Sequence, residues 1–319
     1  MIPELRLRRS VTLVLLLASS VAMSTGQVSR EFRRTFAVSL AEPVSLQVDL
    51  LDGDLRIAYA RDGEVAVSVA AQNASSMDQQ SLSTWLVMAQ TGNRLEVRER
   101  PVVGSQNLKL TYMIDVPYRT EAHTSVRRGK QTITGIMGPV SAETGVGDIE
   151  VSYISLEVDA HAHTGNLTFE VVGGRIEARS VQGAIACQRA PQGIKAETED
   201  GDISLAVVGA SIAIVKSGNG RIDVGGARGS LVVSTTAGGI HVKAVLREDW
   251  RLSSKSGTVH VELPPGSSFD LDAVSDFGDV VIARDDLDKP TGDRRLKQKV
   301  KGGGKKIEVR TETGRIAVS

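Results

Sequence analysis

Gly147-Asp148-Ile149-Glu150-Val151, Gly165-Asn166-Leu167-Thr168-Phe169, Gly183-Ala184-Ile185-Ala186-Cys187, Gly201-Asp202-Ile203-Ser204-Leu205 and Gly220-Arg221-Ile222-Asp223-Val224 share one pattern: a glycine, any residue, then two apolar residues separated by one. The series continues at Gly238, Gly257 and Gly278 and closes with Gly314-Arg315-Ile316-Ala317-Val318. A second aliphatic set, Val158, Ile176, Ile194, Ile212 and Leu231, falls between these, each about nine residues after the preceding member. A fixed period of about 18 residues identifies stacked coils, because a unit this small buries its apolar face only against a neighbour. The expected fold is therefore all-β, a β-solenoid, with right-handed winding as the default for parallel β crossovers. Strict alternation of half-repeats favours two sheets per coil, with a three-sided coil as the alternative.

Alternation also assigns faces. Ile149, Leu167, Ile185, Ile203, Ile222, Ile240 and Val259 point inward, as do their partners two residues on. Glu150, Thr168, Ala186, Ser204, Asp223, His241 and His260 point outward. Coils spaced ~4.8 Å apart would make eight of them a rod of roughly 40 Å. Glycines supply positive φ at the turns, and an Asp or Asn beside them can hydrogen-bond turn backbone.

Composition agrees with this reading. Aromatic residues are 3% of the chain while glycine numbers 32 of 319, which suits aliphatic coils with tight turns and not a core of large rings. A single cysteine excludes an internal disulfide, so packing must supply the stability. Residues 1–26 read as a signal peptide: Arg6, Arg8 and Arg9 precede an apolar Val11–Leu17 run, and Ser20 and Ala22 suit a cleavage site. The apolar run is shorter than the ~20 residues of a membrane span, and no other transmembrane segment is expected. Lys+Arg and Asp+Glu both number 38, and removal of the signal shifts the balance only to about −2. Nothing in that balance points to nucleic acid. The expected location is secreted, periplasmic or cell surface.

Three regions follow. After the signal, residues 27–139 form an irregular strand-rich cap, with Gly53-Asp54-Leu55-Arg56-Ile57 already resembling the later unit. Within it, Leu82, Trp85, Leu86 and Ala89 fall at helical spacing behind Ser75 and Asp78, so one short helix is expected near 76–90. Residues 140–319 carry the solenoid repeats, interrupted by a charged loop over 284–306. Such caps are needed because the end of a stack presents unpaired strand edges.

Few residues stand outside this scheme. Cys187 occupies an inward position equivalent to Phe169 and Leu205, where a thiol is an inert hydrophobe. Asp223, His241 and His260 share one outward column in successive coils, and this ladder is the candidate metal site, since imidazole suits zinc and related metals; an ordinary polar strand face is the simpler explanation of it. His161 and His163, two residues apart on one outward face, form a second candidate to which the same explanation applies. The acidic turn Glu197-Thr198-Glu199-Asp200-Gly201-Asp202 lacks the spacing of calcium-binding β-rolls and reads as a solvated turn. No outward column with two or three successive acids is apparent apart from that turn, and no nucleophile elbow, metalloprotease helix or phosphate loop occurs, so no catalytic residue and no cofactor are expected. The basic run Arg294–Lys306 could meet an anionic envelope polymer by charge, and scarce aromatics count against sugar stacking.

The serial Gly-Asp-Ile-x-Val units, Asp52-Gly53-Asp54, the Asp115-Val116-Pro117 step and the ending Gly302 to Val318 resemble the bacterial putative-adhesin family of secreted β-strand-repeat proteins. The resemblance spans roughly residues 30–319. It implies a solenoid of uncharacterised function and supplies no catalytic residues. The expected function is an adhesin-like binding or structural protein of the envelope whose partner is a glycan or protein. The alternatives are a β-helix carbohydrate-active enzyme and a metal-binding envelope protein.

Overall fold

The computed structural model describes residues 30–72, 85–100, 109–206, 208–209, 213–282 and 294–319. Residues 1–26, expected to be a signal peptide, therefore lie outside the described residues. Among those that are described, no helix is long and apolar enough to cross a membrane.

The described residues form two sheets of 14 strands each, and from Lys109–Val116 to Val280–Ile282 consecutive strands alternate between them. The chain thus winds as a two-sided coil, and the three-sided alternative falls away. In one sheet Val140 pairs with Val158, Val158 with Ile176 and Ile176 with Ile194, all parallel. In the other, Ile149 pairs with Leu167, Leu167 with Ile185, and Ile185 with Ile203. Each parallel step brings an aliphatic side chain over an aliphatic side chain. Ile149, Leu167, Ile185, Ile222 and Val259 are fully buried in a single core running the length of the stack. Fourteen strands at ~4.8 Å give a rod of roughly 60 Å, longer than eight coils would make.

Coil length is not constant. Ile203 pairs with Ile222 and Ala213 with Leu231. The inward column at this level is thus filled by Ala213, not by Ile212, which lies outside the described residues. One extra residue between Ile203 and Ala213 shifts the frame.

The glycine column explains how closely the coils approach. Gly165 has φ +151°, and a Cβ there would lie 2.0 Å from the carbonyl oxygen of Gly147 one coil earlier. The same close approach recurs down the column, from Gly129 on Gly53 to Gly314 on Gly257. Asp and Asn beside the glycines bond the next coil: Asp148 Oδ1 accepts from the N–H of Asn166 at 2.7 Å, and Asp202 Oδ1 from that of Arg221 at 2.7 Å.

Both ends depart from chain order. The coil formed by Lys305–Thr311 and Ile316–Val318 sits between the Trp250–Glu262 coil and the later Phe269–Ile282 coil. At the other end, the Val44–Tyr59 coil lies between Arg94–Val116 and Thr120–Thr134. The same two sheets run unbroken across residue 140. Antiparallel strands then close three of the four sheet edges: Arg30–Ala37, Leu86–Thr91 and Arg295–Val300. The fourth edge is the three-residue strand Val280–Ile282. Short or charge-bearing edges resist addition of further strands.

Two expectations are corrected here. No helix element occurs among the described residues; of the span 76–90, residues 76–84 lie outside them, and Leu86–Gln90 belongs to an extended strand paired with Arg94–Glu99. The open edge of the Arg94–Glu99 strand decides the matter, since pairing satisfies its backbone groups. Of the charged loop expected over 284–306, residues 283–293 lie outside the described ones, whereas Arg295–Val300 is a strand paired antiparallel with Phe269–Val274. Its Arg295, Lys297 and Lys299 face solvent, and charge alone concealed the alternation.

Candidate metal centre and the outer faces

The last coils bring the outward histidines together. Asp223 pairs with His241 and His241 with His260 across adjacent parallel strands, as their common column requires. The imidazole rings stack with centroids 5.2 Å apart at 24°. Both are half-buried on the sheet face. The third group beside them, however, is Glu262, two residues after His260 on the same strand and face. Its Oε1 lies 3.0 Å from His241 Nε2 and 3.9 Å from His260 Nδ1. His241, His260 and Glu262 form the one group among the described residues whose potential metal-ligand atoms all lie within 4.8 Å of one another.

Asp223 occupies a different place. Its carboxylate accepts from the Arg221 guanidinium at 2.8 Å and stands 3.3 Å from His241 Nδ1, on the far side of the ring from Glu262. It orients the histidine and does not converge with the other two. His260 is held likewise, with Nε2 3.2 Å from Ser319 Oγ. Lys243 meets the other oxygen of Glu262 at 3.0 Å. Hydrogen bonds from Lys243, and then from His241, hold the Glu262 carboxyl below the usual carboxylate range against a small desolvation effect. Glu262 lies outside the Asp223–His241–His260 column, and the alternation Val259-His260-Val261-Glu262 carries the signal for it, since it places both polar residues outward.

The remaining candidates separate. His161 pairs with Asp159 at 2.8 Å on its own strand, and His163 points into solvent. In the acidic turn, Asp202 accepts from backbone and Asp200 bonds Asn219 at 2.6 Å. Glu197 faces away into a cluster with Arg179 (3.2 Å), Lys216 (3.2 Å) and Lys195 (3.6 Å). Glu177 joins it, bonded to Arg179 and, at 3.0 Å, to Lys195. Asp159 and Glu177 are paired in register, so one outward column does carry two successive acids. That column belongs to the second half-repeat, where the glycine pattern gives no frame. Cys187 is buried at the expected core position, and burial pushes its thiol up to about 12.

The aromatic residues divide between the core and one exposed corner. Trp250 is buried, with Nε1 donating to Gly229 O at 3.3 Å, and Trp85 is buried too. Tyr59, Tyr118 and Tyr153 instead line one corner, exposed by 47%, 43% and 56%. The Tyr59 and Tyr118 rings meet edge to face at 6.0 Å, and the Tyr118 hydroxyl lies 3.3 Å from Ser155 Oγ. Ala58, Thr134 and Ser152 are in register, so the residues that follow them, Tyr59, Gly135 and Tyr153, form one column with a gap at the glycine.

Residues 44–319 match the family model described as Toastrack DUF4097. The chain belongs to the Toastrack family. This is a putative-adhesin family of uncharacterised function, as the repeats suggested. No curated protein matches the Toastrack chain. Solved structures similar to it include a putative adhesin from Parabacteroides distasonis, 12% identical, covering 90% of this chain and 97% of that one with a TM-score of 0.43. A putative adhesin from Bacteroides fragilis is 11% identical over 91% and 97%, at 0.37, and a putative cell adhesion protein from Clostridium sporogenes is 10% identical over 91% and 99%, at 0.21.

Proposed function

We propose that this chain is an adhesin-like binding protein, secreted or held in the envelope, that presents its right-handed solenoid of roughly 18-residue coils as a rigid surface, with an envelope or extracellular glycan as its partner. The tyrosine corner carries this reading. In a chain where the large rings are few, three of four tyrosines stand exposed on one edge beside Met137 and Leu156, which are also exposed. Tyrosine combines apolar area with a hydroxyl and loses little conformational freedom on binding, which suits it to recognition surfaces. Tyr153 also has φ +55°, a conformation that costs a non-glycine residue of order 1 kcal/mol or more. Gly135, one coil away in the same column, meets the same demand as glycine. The tyrosine is thus kept at the position less suited to it.

The reading is non-catalytic. A glycoside hydrolase needs a carboxyl that stays protonated near neutrality. Lysine and arginine hold Glu177 and Glu197 below the usual range, Lys195 acting first on Glu177, and Lys216 and Arg179 prevailing over desolvation at Glu197. The test is binding of the full chain to purified envelope polysaccharides and a broad glycan array. Saturable binding that falls at least ~10-fold in Tyr59→Ala/Tyr118→Ala is expected for loss of two exposed rings that a bound glycan would cover. Equal binding by that variant would overturn the corner's role, and failure on every glycan alongside capture of a protein would overturn the choice of partner.

A further inference from the structure

We propose that His241, His260 and Glu262 form a binding site for a divalent transition metal, zinc in the first place, on the outer face of the solenoid. It lies about five coils from the tyrosine corner and does not depend on it. The geometry is close to what a metal requires. Tetrahedral bonds of about 2.0–2.1 Å place ligand atoms roughly 3.3 Å apart. Glu262 Oε1 lies 3.0 Å from His241 Nε2 and 3.9 Å from His260 Nδ1, so shifts of a few tenths of an ångström bring both nitrogens to the required spacing from that oxygen.

The second partner of each ring is the stronger observation. A metal-binding histidine ordinarily anchors its other nitrogen on a carboxylate, carbonyl or hydroxyl, which fixes the tautomer and aims the lone pair. His241 rests its Nδ1 against Asp223 and His260 its Nε2 against Ser319. Opposite nitrogens are thereby aimed at the same carboxylate oxygen. The 3.0 Å contact of Nε2 with Oε1 is a hydrogen bond when Nε2 carries the proton, and a metal ion can take that proton's place between the two atoms. By contrast, among the described residues His123 and His161 each pair with one carboxylate, two residues earlier on their own strand, with no second ring stacked beside them. Rigid strands hold the three groups, and a half-exposed face leaves further coordination positions to water or to a partner's donor. Two imidazoles and one carboxylate suit zinc, copper, nickel or cobalt better than calcium or magnesium.

Lys243 is the natural competitor. It binds Glu262 Oε2 and is largely exposed, so it can swing aside while Oε1 takes the metal. The test uses the untagged full chain, stripped with chelator and titrated with Zn2+ by calorimetry and with Co2+ by its d–d absorption. One metal per chain is expected, with Co2+ bands of nitrogen–oxygen ligation. Glu262→Gln and His260→Ala should each weaken Zn2+ by at least ~10-fold, and Asp223→Ala, acting through His241, by ~10-fold. Lys243→Met should tighten it, and His123→Ala should leave it unchanged. No stoichiometric binding by the native chain would overturn the proposal, and that result depends on no variant's folding. Unchanged affinity in Glu262→Gln, with circular dichroism showing the sheet intact, would overturn it equally.

Discussion

The hydroxyl of Ser180 donates to the carbonyl oxygen of Gly165, 15 residues earlier and one coil away, at 3.0 Å. The contact recurs from Thr198 to Gly183 and from Ser217 to Gly201, both at 3.0 Å, and from Ser254 to Gly238 at 3.0 Å. It continues from Ser275 to Gly314 at 2.8 Å. These hydroxyls are buried within a largely apolar core. Each stands three residues before its own coil's glycine and bonds the glycine of the neighbouring coil, which ties successive turns together. Thr198→Val should therefore cost about 1 kcal/mol or somewhat more, since a buried carbonyl loses its side-chain donor. The column has a natural vacancy at Ala162, which is buried among the same neighbours. Ala162→Ser should recover a few tenths to about 1 kcal/mol. Urea unfolding of both variants checks this, and a neutral Thr198→Val together with a destabilising Ala162→Ser would refute the role.

The glycine column makes a sharper demand. At Gly165 both the positive φ and the 2.0 Å approach to Gly147 O exclude a side chain, and the obstacle is backbone. Gly63 also has positive φ, +92°, but a Cβ there meets nothing within 4 Å. Gly165→Ala is expected to destabilise by about 3 kcal/mol or more, because coils must separate, whereas Gly63→Ala should cost only about 1 kcal/mol. Thermal melts of the pair separate stacking from conformational preference. Similar losses in both would show that coil spacing yields more than the fold implies.

Cys187 offers a probe of core opening. Burial raises its thiol from an ordinary 9.0 to about 12, so little thiolate is available to attack a reagent in the folded chain. Alkylation at pH 8 should be slow in native conditions and fast in denaturant. The sign of the linkage follows from the raised value: stability is unaffected below about pH 9 and falls as the pH climbs from there toward 12, because the unfolded chain ionises first. Cys187→Val should remove that part of the alkaline loss. Rapid native alkylation, or an alkaline profile identical in the variant, would contradict this.

Much of this architecture was legible because one local rule recurs. Gly-x-aliphatic-x-aliphatic sets the turn, the inward pair and the outward column together, so the sequence alone places Ile149, Leu167 and Cys187. The serine and threonine column was equally regular, yet a polar residue three places before a glycine looks like any turn residue until coils are stacked. Glu262 escaped because stacking was read straight down a column, whereas a long carboxylate reaches diagonally to the neighbouring strand. The tyrosine corner depends on strand ends that carry no period. The inserted coils were the least accessible. Each coil is locally equivalent, and which one lies on which is decided by long-range edge pairing that no short pattern encodes.

That insertion leads to a last expectation. The Lys305–Val318 coil separates the Trp250–Glu262 coil from the Phe269–Ile282 coil, and its Ile307 pairs with both Trp250 and Leu271. Deleting residues 305–319 therefore removes neighbours on two sides and not from one end. It also removes Ser319, the anchor of His260. In a stacked-repeat protein each coil depends chiefly on its immediate neighbours. The damage should then stay local: strands from Trp250 onward lose amide protection and become cleavable, while the coils from Val140 to Leu205 keep theirs. Hydrogen exchange resolved by peptide distinguishes this from collapse of the whole rod. Uniform loss of protection would show that the 14-stranded sheets unfold as one unit, and full retention would show that the two flanking coils can close directly on each other.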